Sequence, residues 1–400
     1  NGDKLGMLMK AIIITMQLGN LAFKSLNGDS DKSEVATRAE LEALSDLMGV
    51  SEADLQLAFT ERTFTTAKES HKVPLNAAAA QEACDALAKE IYQKAFLWLV
   101  KSINQATSAP ESEQKTYGTI GLLDIFGFES FETNRFEQLC INYANEKLQK
   151  KFTEDVFENV KAEYKSEGIS LDDILYEDNT DVLDLIEGRT GLLNLLNEEC
   201  IRPKGNDFDF VQKALQINKS APALMVHRTD RLSFGIKHYA GQVMYDAEMF
   251  VTKNLDTLPT DLQECVEKCS NAVISAPRSD PLPVKRTSAG RQQQRSNITA
   301  PTVWTKYKGQ LADLMGELRK TKSRYIRCIK PNNQKKPLLL EHTPTVEQLR
   351  CAGVIAGITI SRSCFPNRLP HSVVLARYSN LADPKNFPSK KTSNMTLEQK

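Results

Sequence analysis

From Leu5 to Phe23 apolar residues recur at the spacing of one helix face, and residues 36–59, ATRAELEALSDLMGVSEADLQLAF, repeat an amphipathic pattern twice with Gly49 as the stop between them. These runs predict packing helices. Residues 60–76, TERTFTTAKESHKVPLN, lose that period and predict a surface loop. Ala77 to Ile103 then predicts a long helix whose apolar set includes Leu87, Ile91, Phe96, Leu97 and Val100. After a polar connector, TYGTIGLLDIF is short, apolar and bounded by glycines, the pattern of a buried strand. A second long helix follows, with Asn134 as cap, Glu137 three residues on, and apolar positions from Phe136 through Val160. It ends near Gly168, and at 1.5 Å per residue it spans about 45 Å, more than a compact subdomain needs for packing. Such a helix can act as a rod.

Residues 169–275 mix helices with a strand pair, RLSFGIKHYAG and QVMYDAEMF, as expected of an α+β lobe. Periodicity is then lost over 276–301, where Pro, Ser, Gly and Gln gather with Arg278, Lys285, Arg286, Arg291 and Arg295 against Asp280. This predicts a flexible, basic surface loop. Helix resumes from Val303 to Leu318, RYIRCIKP has the pattern of a strand, and TVEQLRCAGVIAGITISR that of a helix interrupted by Gly353 and Gly357.

Composition adds mainly exclusions. The 400 residues are 41% hydrophobic and 26% charged, with 51 basic and 51 acidic side chains, so no overall field favours nucleic acid or a membrane surface. The apolar stretch MLMKAIIITMQLG is interrupted by Lys10 and Gln17, which predicts neither a signal peptide nor a membrane span. Eight scattered cysteines, only Cys265 and Cys269 lying close, point to reduced thiols in a cytosolic protein rather than a disulfide frame or zinc site. The chain opens at Asn1 inside a helical pattern and stops at Lys400 in polar sequence, and is expected to be a fragment.

The chemistry is concentrated in GLLDIFGFES, residues 121–130. On a strand that runs into a loop, Asp124 would stand at the strand's carboxyl end, where open α/β sheets bind ligands. Asp124-x-x-Gly127 has the spacing of phosphate-sensing switches: the aspartate supports a Mg²⁺ shell, and the glycine amide meets a terminal phosphate with no side chain between. Glu129 would close the site by pairing with an arginine or orienting a water. An aspartate after an apolar strand is also a common turn residue, and the tetrapeptide alone favours that bland reading. The uninterrupted order strand, DxxG, Glu, cap and long helix reverses the preference, because a sensor joined to a rod is a mechanical device.

LLDIFGFESFETNRFEQLCINYANEKLQKKF resembles switch II and the relay helix of the myosin motor domain. CDALAKEIYQKAFLWLVKSIN, GLLNLLNEEC, HYAGQVMYD, YIRCIKPNN, QLRCAGVIAGITISR and FPNR follow that family's order, so the resemblance covers about Leu5 to Tyr378. It implies a helix-rich α/β fold, part of a P-loop NTPase motor whose mixed central sheet lies mostly outside this chain. It divides the chain into 1–118, the rest of the upper actin-cleft subdomain; 119–132, a strand and switch II; and 133–168, relay helix and loop. Then come 169–276, the lower actin-cleft subdomain; 277–300, a basic actin-binding loop; 301–345, a helix and central-sheet strand; 346–364, the reactive-thiol helices; and 365–400, the start of the converter.

The resemblance also implies an actin-activated ATPase using ATP and Mg²⁺. Asp124, indirectly on the metal, Gly127 on the γ-phosphate and Glu129 on a switch I arginine form the catalytic set. Mechanical coupling falls to Phe136, Cys351, Gly353 and Gly357. Actin contacts map to residues 60–74, 189–216 and 277–300, with Lys285, Arg286, Arg291 and Arg295 in the last. Glu69, sixteen before Asp85, is a built-in negative charge that predicts actin binding without phosphorylation there. F-actin and calmodulin-like light chains on a neck would be the partners, in the cytoplasm and cytoskeleton.

No GxxxxGK[ST] occurs in the 400 residues, nor a switch I-like sequence, so this chain alone is expected to lack ATPase activity. The strands at 119–124 and 324–330 are expected to lack neighbours and expose edges. Ser361, Cys364 and Leu171 depart from the family pattern, the last where the relay loop usually carries tryptophan. An actin-binding protein of myosin descent without ATPase activity is the alternative. Cys351, His227 and His238 have plain structural readings, a small buried hydrophobe and two histidines without metal-ligand spacing.

Overall fold

The computed structural model describes residues 2–65, 70–110, 118–168, 179–255, 258–277, 302–355, 358, 362, 369–378 and 381. In chain order the elements are α1 (Gly2–Leu18), β1 (Phe23–Leu26), β2 (Asp29–Val35), α2 (Arg38–Met48), α3 (Glu52–Thr60), β3 (Glu61–Thr65), β4 (Ser70–Pro74) and α4 (Ala77–Thr107). Next come α5 (Phe136–Ser166), α6 (Thr180–Glu187), α7 (Leu192–Ile201), α8 (Asp207–Ile217), β5 (Leu224–Val226), β6 (Ser233–His238) and β7 (Gly241–Asp246). The rest are α9 (Phe250–Asn254), α10 (Thr260–Lys268), α11 (Ala272–Ser275), α12 (Val303–Arg319), α13 (His342–Cys351) and α14 (His371–Tyr378). The chain divides into two compact units: Asn1–Asp124 with Cys200–Pro203 and Val251–Ala312, and Ile125–Glu199 with Lys204–Phe250 and Asp313–Lys400.

The first unit is a helical layer with two hairpins. Its core joins Ile14 and Leu18 of α1, Leu41, Leu44 and Met48 of α2, Phe59 of α3, Leu87 and Ile91 of α4, and Leu262 and Val266 of α10. Local signals set the ends: Gly49 takes the left-handed conformation (φ 70°) and closes α2 by donating to Ser45 O. Ser51 caps α3 and Asn76 caps α4, each side-chain oxygen accepting a backbone N–H three residues on. The 31-residue α4 outruns the core, so Phe96 and Val100 of its expected apolar face are exposed.

The strand expectations are revised in two places. Residues 60–76 carry the antiparallel β3–β4 hairpin, Glu61 opposite Pro74 and Thr65 opposite Ser70. No apolar alternation announced it, because every residue of β4 is exposed. Conversely, residues 118–131 and 322–330 form no strand. A strand is defined by its hydrogen-bonded neighbour, and among the described residues neither run has one. Ile120, Leu122 and Ile326 stand 94%, 92% and 78% exposed. The sheets among the described residues are therefore three small antiparallel ones, of two, two and three strands, with no mixed sheet.

The second unit is organised around α5. Its expected strand pair forms as β6–β7, with Phe234 opposite Tyr245 and Ile236 opposite Val243. Phe136, Phe210, Phe234, Tyr245 and Phe250 pack ring against ring, with centroids 5.6 to 6.1 Å apart. The start of α5 is shifted one residue from the expected capping box. Gln138 Oε1 accepts from the Arg135 N–H, so Arg135 is the cap position, while the Asn134 side chain faces outward from the helix to Phe131 and to Met244 O. α13 begins at His342, ahead of the predicted start, with Pro344 tolerated in its first turn.

Candidate functional site

At 1.5 Å per residue the 31 residues of α5 make a rod about 46 Å long. Its first turns are sewn to β7. Asp246 N donates to Asn134 O at 2.8 Å, and the Arg135 guanidinium bridges Asp246 and Glu248.

The loop carrying the second carboxylate is hooked onto this rod at two places. Asn142 makes a reciprocal pair with Glu129: Oδ1 accepts the Glu129 N–H and Nδ2 donates to the Glu129 carbonyl, both at 2.8 Å. One turn further, Asn145 Nδ2 donates to Phe126 O at 3.1 Å. The Glu129 carboxylate takes Gln138 Nε2 at 3.3 Å. Because both ends of the Asn142 amide are committed, its orientation is fixed.

That orientation sets a buried chain behind it. Asn142 Nδ2 also donates to Tyr245 Oη at 2.9 Å, so the tyrosine proton points to His238 Nε2, 2.8 Å away. His238 then carries its own proton on Nδ1 and donates it to Glu146 Oε1 at 2.9 Å. Glu146 also receives the Tyr239 N–H on the same oxygen, and Asn179 Nδ2 on the other. Burial drives the Tyr245 and Tyr239 hydroxyls well above the usual phenol range, keeping both neutral donors. The Phe128 ring, from the loop, meets His238 and Tyr239 edge-on at 5.3 and 5.7 Å.

The far half of the rod is fastened to the 325–353 region. Phe152 packs edge-on against Tyr325, whose hydroxyl donates to Asp155 at 2.5 Å, and Arg327 lies over both rings. Arg327 Nε in turn donates to Ala352 O and Tyr239 Oη to Cys351 O, each at 2.7 Å. Gln348 clasps Lys330 through its N–H and carbonyl at 2.8 and 2.9 Å. The physical consequence is continuity: loop 126–131, α5, β6–β7 and the end of α13 form one hydrogen-bonded assembly.

With this geometry in place, comparison with known proteins decides the family. The family described as "Myosin head (motor domain)" matches residues 3–400. The chain belongs to the myosin head family. It is 37% identical to "Myosin-2" of Arabidopsis thaliana over 369 residues, covering 92% of this chain and 30% of that protein. Against "Unconventional myosin-Va" of Rattus norvegicus it is 38% identical over 407 residues, covering 96% of the chain and 22% of the relative, and against the Homo sapiens protein of that name 37% identical. The chain thus spans 22% to 30% of the length of these curated myosins.

In this myosin head chain the sequence-derived residues fall out as follows. Asp124 is exposed coil at the end of the first unit, not the tip of a strand. Gly127 is also exposed, and a Cβ there would meet nothing within 4 Å. Its φ lies outside the left-handed region, so neither strain nor crowding within the chain calls for glycine. Phe136 is buried against Phe250, and Gly353 sits against the Gln149 amide of α5. Residues 189–216 carry the helices α7 and α8, the latter capped by Asn206. Glu69, Lys285, Arg286, Arg291, Arg295 and Gly357 lie outside the described residues, as do Leu171, Ser361 and Cys364. Residues 118–131 supply two carboxylates, Asp124 and Glu129, and one open amide, at Gly127, rather than a phosphate cradle.

Sequence reasoning missed Asn142, Asn145, Glu146, Tyr239 and Tyr245, and read His238 as an isolated structural residue. The signal was present in NYANE, residues 142–146, where three amide or carboxylate side chains interrupt the apolar stripe of the rod. All five of those residues are buried.

Burial and exposure set an expected order of reactivity among the described thiols. Burial pushes Cys84 and Cys140 up to about 12, the latter aided by Glu137, and burial also raises Cys351. Raised values mean less thiolate at a given pH. Alkylation at pH 8 is expected to label exposed Cys328 first, half-buried Cys351 more slowly, and Cys84 and Cys140 only on unfolding. Peptide mapping over time checks this, and early labelling of Cys84 would contradict it.

Proposed function

We propose that this chain is part of an actin-activated ATPase, in which hydrolysis of Mg²⁺-bound ATP drives movement along actin filaments. The observation that carries the reading is the reciprocal bond pair between Glu129 and Asn142, which joins the phosphate-sensing loop directly to the rod. Family membership over residues 3–400 supports it. Asp124 acts toward the Mg²⁺ shell, Gly127 toward the terminal phosphate, and Glu129 toward an arginine of switch I. The open space at Gly127 supports that role, since the room it leaves is unused by the chain itself.

Displacement of the loop by phosphate would pull on Asn142 and Asn145 together, and a stiff helix transmits that pull along its length. Phe136, Cys351, Gly353 and Gly357 serve that transmission. Actin binding is assigned to residues 60–74 with Glu69, to residues 189–216, and to the basic segment 277–300 with Lys285, Arg286, Arg291 and Arg295, whose charge suits steering toward an acidic filament. Light chains of the calmodulin kind would bind a neck in the whole protein, which would work in the cytoplasm on the cytoskeleton. No helix among the described residues is long and apolar enough to cross a membrane.

Cosedimentation of a complete motor carrying this sequence with F-actin, with and without ATP, tests the proposal. ATP is expected to release the motor from the filament. Binding that ignores nucleotide would instead favour an actin-binding protein without ATPase activity.

A further inference from the structure

The β3–β4 hairpin is a two-stranded ribbon, a form marginally stable in water by itself. Its root is well fixed: Leu75 N donates to Thr60 O at 2.7 Å, and the buried Ser33 hydroxyl donates to Leu75 O at 2.7 Å. The root alone does not fix the direction of the ribbon beyond it. Positions 60 and 75 form a hydrogen-bonded pair, so by the alternation of an antiparallel ladder 61–74 and 63–72 are non-hydrogen-bonded pairs. Pro74 therefore sits where no N–H is required, and the Thr63 N–H points away from the ladder.

A single carboxylate meets that free edge. Asp261, in the first turn of α10, accepts the Thr63 N–H on Oδ2 at 2.8 Å and the Thr63 hydroxyl on Oδ1 at 2.5 Å. The start of a helix is where a carboxylate is electrostatically favoured, and two charge-assisted bonds to one residue fix angle as well as distance. α10 is itself rigid, with Leu262 and Val266 in the core and Ser270 N bonded to Met48 O.

We infer that Asp261 is a positioning residue for filament binding: through its two bonds to Thr63 it sets the direction in which the paired strands β3 and β4 are presented to F-actin. The inference rests on the proposed actin role of this hairpin and adds the residue that aims it. Asp261 does not itself touch the filament. With the clamp released, the ribbon samples other directions, and each productive encounter must first restore the right one.

The test is actin-activated ATPase of the complete motor over a range of F-actin concentrations. Asp261→Ala is expected to raise the actin KM about five- to tenfold while leaving kcat within about twofold and basal ATPase unchanged. Thr63→Val, which keeps the N–H bond and loses the hydroxyl bond, is expected to raise KM about threefold, and Thr63→Ser to restore it. Lys72→Glu, on the exposed strand of the hairpin, reports whether the hairpin meets actin at all. If Lys72→Glu raises KM and Asp261→Ala does not, the positioning role is overturned and the actin role of the hairpin stands. If neither moves KM, both are overturned. Loss of basal ATPase in Asp261→Ala with wild-type KM in Thr63→Val would also overturn it, by reducing Asp261 to a fold-stability residue.

Discussion

Replacing Glu146 by Gln is expected to destabilise the second unit by about 3 kcal/mol, seen as roughly hundredfold faster hydrogen exchange along Phe136–Ser166. The substitution keeps size and shape, so no cavity forms. It changes only what the two terminal atoms do. Glu146 is fully buried and receives three donors: His238 Nδ1–H and the Tyr239 N–H on one oxygen, Asn179 Nδ2 on the other. A glutamine offers one oxygen and one NH₂. If the oxygen stays toward His238, the NH₂ opposes the Asn179 amide; if it turns, the NH₂ opposes two N–H groups.

His238 cannot absorb the conflict by moving its proton to Nε2. Tyr245 Oη already accepts from Asn142 and would lose the acceptor for its own proton. Asn142 cannot flip, because the Glu129 N–H needs its oxygen. The frustration therefore propagates from α5 to the loop at 126–131, and faster exchange is expected at Glu129 as well. Exchange within threefold of wild type would show that water or a side-chain rearrangement satisfies the site, and that the chain of bonds is not what holds the loop.

How much of this was legible in the sequence depends on what each pattern encodes. The helical period identified α1 to α5 and α12, because those helices bury one face and their apolar residues mark it; it also located the region of α13, although that helix has no fully buried residue. The polar spine on α5 was not legible in the same way. A buried Asn142 and an exposed asparagine look alike in a single sequence, and only the partners on β6 and β7, about a hundred positions away, distinguish them. The hairpin at 61–74 escaped for the opposite reason: its outer strand buries nothing, and its stabilising partner, Asp261, lies nearly two hundred residues downstream. At 119–124 and 324–330 the apolar runs were read as strands, but strand formation is a property of a pair. DxxG located the loop and its likeness to a switch. The attachment of the loop to α5 through Asn142 and Asn145 was visible only in three dimensions.

Gly353→Ala is expected to cost about 3 kcal/mol in the region where α13 meets α5, in two separable parts. Gly353 has φ 69°, a conformation in which an alanine costs about 1 kcal/mol. The remainder is steric: a Cβ at this position lands on the carboxamide of Gln149, which is buried and donates to Thr153. The backbone cannot easily retreat. Gly353 N is bonded to Arg350 O, Arg327 holds Ala352 O, and Tyr239 holds Cys351 O. Gln149 must then leave its site and lose its partner. Combining the substitution with Gln149→Ala separates the parts, since truncation removes the obstacle and leaves the strain. In that background Gly353→Ala is expected to cost only about 1 kcal/mol, a coupling of about 2 kcal/mol between the residues. Hydrogen exchange of the His342–Cys351 amides in the four proteins of this cycle measures it. An equal cost in both backgrounds would assign the whole effect to backbone strain and remove Gln149 as the reason that a glycine stands where the end of α13 meets α5.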